Sequence, residues 1–482
     1  MEGNPVKTDK LKLGTVTGYG IGAIGEGLGY NVFFSFFIFF LTTVAGIPPA
    51  IAGVISSVAV LWDAVTDPII GNWSDTTMNK RGRRRPFIMT GSVLFGIAIA
   101  LLFINIDMPM GAKTVYFIII NALYWVTLTS CVIPHISLGS ELSDDFDERT
   151  KLRSCAVALM GIGTLIATSA TLVLVNFYTE LFGGSETAGW AGTGITYGVV
   201  VALIYNICCI IVKDKEPKNP NLKENAVREK HSMGESFSIF CTNAKKAFQN
   251  KALRILIIIN FCVNIVVTLG GGLFVYILTY VYKYDDMKTS QVFLVQGILV
   301  ILAALFAGYI ANKSEKKVVM AGGVGVYALS FLLICVMPVS DITIYIVLVL
   351  YSIGNSSFWT MIYAMSYDST IVEQIKTGDK PDGLYTSLIG LFMKFGNSLG
   401  SLAVGIGLQL VGFSADAAMQ TESTVEGIRI LYGVAPAAVL VIGFIVAIRY
   451  PITKKKYNEL LNIYNDKQAG KEIEKELLDK LI

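Results

Sequence analysis

The sequence predicts an all-α membrane protein of twelve transmembrane helices, and three observations predict it. Of 482 residues, 53% are hydrophobic and only 16% charged, against about a quarter charged in soluble domains, and mean hydropathy is +0.60. The apolar residues gather into stretches that meet the requirement of about 20 residues for crossing a bilayer. The Lys and Arg residues concentrate in every second loop between those stretches.

The spans are expected at 17–43, 49–73, 86–106, 114–140, 154–177, 193–212, 253–281, 291–312, 317–337, 341–366, 384–411 and 427–449. One set of loops carries Lys80, Arg81, Arg83, Arg84 and Arg85, then Arg149, Lys151 and Arg153, then six basic residues between Lys213 and Lys230. It continues with Lys313, Lys316, Lys317, Lys376 and Lys380. The opposite loops carry little beyond Lys113, Lys283, Lys288 and Arg429. Basic residues stay inside, so both termini are expected in the cytoplasm.

The long polar loop 213–252 divides the chain into an N-terminal six-helix bundle (1–212) and a C-terminal one (253–449), followed by a cytoplasmic tail (450–482). The stretch 236–250 has the pattern of an amphipathic surface helix. The tail reads as a short soluble helix or a frayed end. IIGNWSDTTMNKRGRRR after the second span and LFAGYIANKSEKK after the eighth share a glycine, a small polar turn and a basic cluster. Such repeats are common in secondary transporters.

The same composition narrows function. Net charge is only +3, which gives no basic field for nucleic acid. Seven cysteines, Cys131, Cys155, Cys208, Cys209, Cys241, Cys262 and Cys335, form no CxxC or metal spacing and read as small buried hydrophobes. His135 and His231 are the only histidines, too few for a histidine metal site or triad. GGSETAGWAGTG, placed in the fifth loop, lacks the GK[ST] of a phosphate loop. No cofactor and no ATP-driven step is expected, and the chain is not read as an enzyme. The N-terminus shows no apolar core with a cleavage site. A monomer in a bacterial cytoplasmic membrane is expected.

Four ionisable groups lie inside spans, where each costs several kcal/mol and marks a functional site by default. They are Glu26, Asp63, Asp67 and Lys394. Asp63 and Asp67 are four apart and share a helix face. Two carboxylates so close in a low dielectric require either a retained proton or a cation between them. Thr66 offers a hydroxyl oxygen. Hard oxygen donors suit sodium, lithium or a proton; the other reading is a gate closed by basic loop residues. Lys394 is too deep to snorkel and calls for a carboxylate partner, as a link between halves, an aid to binding a polar substrate, or a structural pair. Glu26, among the glycines of YGIGAIGEGLGYN, is placed to meet a substrate hydroxyl or Lys394. Trp359 and Trp125 offer flat faces for a sugar ring, or are packing. His135 reads as a satisfied polar side chain.

LWDAVTDPIIGNWSDTTMNKRGRRRPF, IPHISLGSELSDDFDERTKL and YDSTIVEQIKTGDKPDGLYTSLIGLFMKFGNSLG resemble segments of the glycoside–pentoside–hexuronide:cation symporters, a branch of the major facilitator superfamily. The resemblance covers both halves. It implies two pseudo-symmetric six-helix bundles, alternating access, and symport of a small organic solute with sodium or a proton. Asp63 and Asp67 match the family's cation-site aspartates, Thr66 and Thr129 fall at expected oxygen ligands, Lys394 matches its span 11 lysine, and Trp359 a sugar-contact tryptophan. The chain also departs from the family. The sugar-binding aspartate of span 1 corresponds to Gly27, with Glu26 one place before it. A second, in span 4, corresponds to Val132, a tryptophan to Ile136, and a span 5 arginine to the region of Ala156 and Val157. The cation site therefore carries over better than the solute site. A glycoside, pentoside or uronide is the expected solute, an amphipathic lysolipid- or steroid-like molecule the alternative, and a non-transporting membrane sensor the reading from another class.

Overall fold

The computed structural model describes residues 11–77, 82–143, 145–213, 242, 244–378, 382–414, 417 and 419–468. These residues are helical almost throughout, and twelve helical runs among them are long and apolar enough to cross a membrane. The first span is α1 (Leu13–Val32), a π-helical turn Phe33–Phe37 and α2 (Ile38–Thr43). There follow α3 (Pro49–Thr76), α4 (Arg85–Leu102), α5 (Met110–Glu141), α6 (Phe146–Ser169), α7 (Thr171–Leu181) and α8 (Glu186–Ile211). The seventh span is α9 (Lys251–Tyr276), which ends in a second π turn, Ile277–Val281. The remainder is α10 (Asp286–Lys313), α11 (Lys316–Val336), α12 (Asp341–Thr377), α13 (Asp382–Leu410), α14 (Glu422–Ala447) and α15 (Lys454–Gln468). The chain is a multi-pass membrane protein.

Its outer surface shows why. On α10, Ile298, Ile301, Leu302, Leu305 and Phe306 are all exposed, Leu305 by 71%. Residues three and four apart share a helix face, and a soluble protein seldom exposes so continuous an apolar stripe. Lipid tails cover it instead.

The chain folds as two compact units. The first comprises 1–226, 283–294 and 404–420; the second 227–282, 295–403 and 421–482. In the first unit, α1 packs along α6 through glycines. A Cβ on Gly27 would lie 2.1 Å from the Met160 carbonyl oxygen, and one on Gly163 2.1 Å from that of Ile24. Small residues permit such backbone approach in lipid, where packing replaces the hydrophobic effect between helices. The Asn31 amide crosses the seam to the Thr164 hydroxyl (2.9 Å). The second unit repeats the device between α9 and α13. Gly396 and Gly400 face the carbonyls of Phe261 and Ile265, and the Thr268 hydroxyl donates to Asn397 Oδ1 (3.1 Å).

Ion pairs repeat as well. Arg84, at the start of α4, pairs with Glu141 at the end of α5 (2.9 Å) and donates to Ser74 at the end of α3 (2.7 Å). Lys316, at the start of α11, pairs with Asp368 on α12 (2.6 Å). The basic clusters after spans 2 and 8 are thus anchored alike.

Three expectations are corrected. The fifth span begins earlier than 154 and is interrupted: α6 ends at Ser169 and α7 starts at Thr171. The hydroxyls of Thr168, Ser169 and Thr171 each bond the carbonyl four residues back, a competition that bends helices. GGSETAGWAGTG is mostly helix, because Ser185 caps the Ala188 N–H (3.3 Å) and α8 starts at Glu186. Its helical glycines serve close packing, and a Cβ on Gly192 would lie 2.6 Å from the Tyr178 ring, whereas Gly183 and Gly184 form the turn before the helix, each at positive φ. The tenth span continues far past 366, to Thr377. Most of the middle loop lies outside the described residues, as do 236–241 and 243 of the expected surface helix; within the rest of that stretch, 242 and 244–247 are helical. The tail contains the helix α15.

Candidate functional site

The centre of the candidate site is on α3 and α5 of the first unit. Asp63 is 2% exposed and Thr66 5%, and Asp67 is half-buried. The Thr129 hydroxyl donates to Asp63 Oδ1 (2.6 Å) and lies 3.1 Å from Asp67 Oδ1. One hydroxyl proton is therefore shared by two carboxylates, which brings their oxygens close together inside a span. Helical spacing gives the carboxylates a common face, and the packing of α3 against α5 supplies the hydroxyl.

Two backbone features complete the local chemistry. Pro68 lies within α3 and has no N–H to give to the carbonyl four residues back, so the Ala64 oxygen loses its helical partner. The Thr66 hydroxyl donates to the Asp63 carbonyl (3.2 Å), which leaves the lone pairs of the Thr66 oxygen as acceptors. Among the described residues, no three His, Cys, Asp or Glu groups converge as a metal cluster. The donors at the pair are carboxylate and hydroxyl oxygens, which suit a hard monovalent cation.

Glu26 and Trp125 belong to the same unit. Glu26 is 8% exposed, and its Oε2 has no hydrogen-bond partner. Trp125 is 1% exposed, and its indole nitrogen also has none. The ring meets Tyr30 edge-on (5.6 Å between centroids) and Phe33 likewise (5.1 Å). Trp359 and Lys394 lie in the second unit, on α12 and α13, both half-buried. Trp359 packs against Phe358. The structure thus joins Asp63, Asp67 and Thr129 through one hydroxyl, keeps Thr66 buried with its hydroxyl on the Asp63 carbonyl, and sets Glu26 and Trp125 in that unit.

One departure at the solute positions, Gly27, has a physical reason. Gly27 presses against the α6 backbone, so no side chain fits there without separating α1 from α6. Ala156 is buried at 1%, whereas Val157 is 50% exposed. His135 is fully buried, bonded through Nε2 to the Tyr19 carbonyl (2.9 Å) and stacked on its ring (4.5 Å). A carbonyl only accepts, so Nε2 carries the proton. Nδ1 is unpartnered, so the histidine is half satisfied.

Two residues escaped sequence reasoning. Arg153 counted only as a loop cation, yet its charge lies within electrostatic reach of Tyr19 and Glu26. Tyr30 looked like one more aromatic in an aromatic span, yet its hydroxyl lies within electrostatic reach of Asp63, Glu26 and Asp67. Its position four residues after Glu26 was the available signal.

A family model described as MFS/sugar transport protein matches residues 18–454. A candidate glycoside/cation symporter of Escherichia coli is 26% identical over 440 residues, 90% of this chain and 91% of that one. A glucuronide carrier protein homolog of the same organism is 25% identical, over 96% of this chain and 98% of its own length. Among solved structures, a D-xylose–proton symporter superposes with a TM-score of 0.62 over 89% of this chain and 96% of that one, at 13% identity. At that identity the likeness is one of fold.

Proposed function

The chain belongs to the MFS/sugar transport protein family, and on that premise we propose that it is a secondary active symporter. It couples sodium or proton influx to uptake of a small organic solute, a glycoside, pentoside or uronide, by alternating access. The observation that carries this reading is the Thr129 hydroxyl held between Asp63 and Asp67. A cation there offsets the repulsion of the carboxylates and shifts the conformational population toward the state that takes up solute. Release of both ligands on the other side completes the cycle.

Glu26 and Trp125 are the proposed solute contacts of the first unit, Trp359 and Lys394 those of the second. The alternation of Lys and Arg between loops supports termini in the cytoplasm. The names of the relatives support the symport reading: one is a glycoside/cation symporter candidate, another a glucuronide carrier homolog.

Uptake into proteoliposomes under separate sodium and proton gradients, over a panel of glycosides, uronides and lysolipids, tests the proposal. Gradient-driven accumulation that Asp63→Asn and Asp67→Asn each abolish is the expected result. Accumulation unaffected by both substitutions would sink it.

A further inference from the structure

In the second unit, α9 has three exposed residues, all near its start: Lys251, Arg254 and Ile258. Their spacing of three and four puts them on one helix face. α14 packs along α9, and two contacts set the register of the pair. A Cβ on Gly443 would lie 3.5 Å from the Cys262 Cβ, and Phe274 stacks on Tyr432 (6.1 Å between centroids). The register is antiparallel. One turn on from Cys262 it sets Ile258 level with Ala447, and beyond that Arg254 and Lys251 level with the chain after α14.

α11 covers one side of this pair. A Cβ on Gly325 would lie 3.4 Å from the Phe444 ring, and one on Gly270 2.9 Å from the Phe331 ring. The exposed residues border the other, open side. There α14 shows Ile442, Ile445 and then Arg449, again spaced by three and four and all exposed. The segment before α9 is fixed to α13: Phe248 meets Phe392 (5.8 Å between centroids), and the Asn250 amide donates to the Tyr385 hydroxyl (3.0 Å). Lys245 and Lys246 on that segment are exposed.

Five exposed cations therefore gather at one end of the α9–α14 pair. Cations at the basic ends of other spans are used by the protein itself: Arg84 pairs with Glu141, Lys316 with Asp368 and Lys151 with Glu148. Among the described residues, no carboxylate pairs with any of these five. The surface next to them, toward mid-span, is apolar, with Ile258, Ile442 and Ile445 exposed by 43%, 56% and 41%. A soluble anion would use the cations alone. A cationic rim that runs into an apolar groove fits a molecule carrying phosphate and hydrocarbon together.

We propose that this end of the α9–α14 pair is a docking surface for one partner, an anionic phospholipid of the surrounding membrane. Its phosphate sits among Lys245, Lys246, Lys251, Arg254 and Arg449, and an acyl chain lies along Ile258, Ile442 and Ile445. Basic pockets between membrane helices bind such headgroups, and each Lys or Arg near an anionic surface is worth about fivefold in affinity. Bound lipid bridges α9, α14 and the segment on α13, and so braces the second unit whatever the ion or solute.

The test is lipid titration of the full-length protein, stripped of lipid in an uncharged detergent and followed by native mass spectrometry and thermal unfolding. The probes are diphosphatidylglycerol, phosphatidylglycerol, phosphatidylethanolamine and inorganic pyrophosphate. Affinity and stabilisation are expected to fall in the order of the three lipids and to weaken at high salt. Equal affinity for all three lipids overturns the proposal. So does stabilisation by pyrophosphate as strong as by diphosphatidylglycerol, which would mark a site for a soluble anion.

Arg254→Gln is expected to weaken diphosphatidylglycerol binding about fivefold, and Lys245→Gln with Lys246→Gln about tenfold or more. These side chains are exposed, so the fold is not at stake. Lys151→Gln removes an exposed cation of the first unit and is expected to leave the affinity unchanged. Wild-type affinity in both groove variants, or an equal loss in Lys151→Gln, overturns the site. A chain ending at Gln468 is expected to bind lipid as the full chain does. Binding seen only after that truncation would give the surface to residues 469–482 and overturn the proposal.

Discussion

The two units share a frame and differ in what they place inside it. Both close their first and fifth spans on glycines, and both add a side-chain hydrogen bond across that seam, Asn31 to Thr164 in one and Thr268 to Asn397 in the other. Both also anchor a basic residue at the start of their third span, Arg84 on Glu141 and Lys316 on Asp368. The interiors then diverge. The first unit carries Glu26, Asp63 and Asp67 within its spans. The second carries amides and hydroxyls on α9, with Asn260, Asn264 and Thr268 spaced by four, and one mid-span cation, Lys394, on α13. The difference lies in the polar groups set on one scaffold: packing is duplicated, whereas among the described residues the first copy holds two carboxylates bridged by one hydroxyl, and in the second the span carboxylate Asp368 pairs with Lys316.

The largest expected effect comes from attacking the shared frame. Gly27→Asp forces a side chain into the Met160 carbonyl, and loss of monodisperse protein after detergent extraction is expected. Folded Gly27→Asp protein of wild-type thermal stability would show that the seam yields easily. Next comes the bridge. Thr129→Val removes the donor to both aspartates. A hydrogen bond to a charged group is worth about 1.5–3 kcal/mol, so cation affinity, read from cation-dependent thermal shifts, is expected to change by roughly tenfold to a hundredfold. Thr129→Ser is expected to restore most of it.

Trp359→Ala and Lys394→Gln sharpen the comparison from the other side. Each is expected to raise the KM for solute by about tenfold, the worth of one lost polar or stacking contact, and to leave cation binding in place. The smallest effect belongs to the amide ladder of the second unit. Asn264→Ala removes a bond to the Asn260 carbonyl (2.8 Å). Because even hydrogen bonds between helices in membranes contribute only about 0.6 kcal/mol on average, a thermal shift of a few degrees with unchanged coupling is expected for this one within α9.

Much of this frame was legible in the sequence because the bilayer imposes a length and a hydrophobicity on every crossing. Span positions came from that constraint, and the aspartate pair from helical spacing. Thr129 was reached through family resemblance, since the threonine lies on another helix and no local spacing points to it. The break at Ala170 was not legible, because Thr168, Ser169 and Thr171 look like ordinary small span residues until their hydroxyls bond the backbone. Of the glycines in GGSETAGWAGTG, Gly183 and Gly184 lie in the expected loop, whereas Gly189, Gly192 and Gly194 belong to α8, whose Ser185–Glu186 start is a capping signal. Tyr30 was hidden by its neighbours, Phe33, Phe34, Phe36 and Phe37, which make an aromatic residue there look like packing. Gly27 explains the solute site's departure only in three dimensions, through the α6 backbone against it.

The central claim is that cation binding belongs to the first unit alone. Cation-dependent thermal unfolding of the full-length protein without solute, measured with sodium and at varied pH, tests it most directly. A ligand that binds only the folded state raises its stability by mass action. The account predicts stabilisation in the wild type, in Trp359→Ala and in Lys394→Gln, and none in Asp63→Asn or Asp67→Asn. Stabilisation that survives in both aspartate variants, or that disappears in Lys394→Gln, would contradict it.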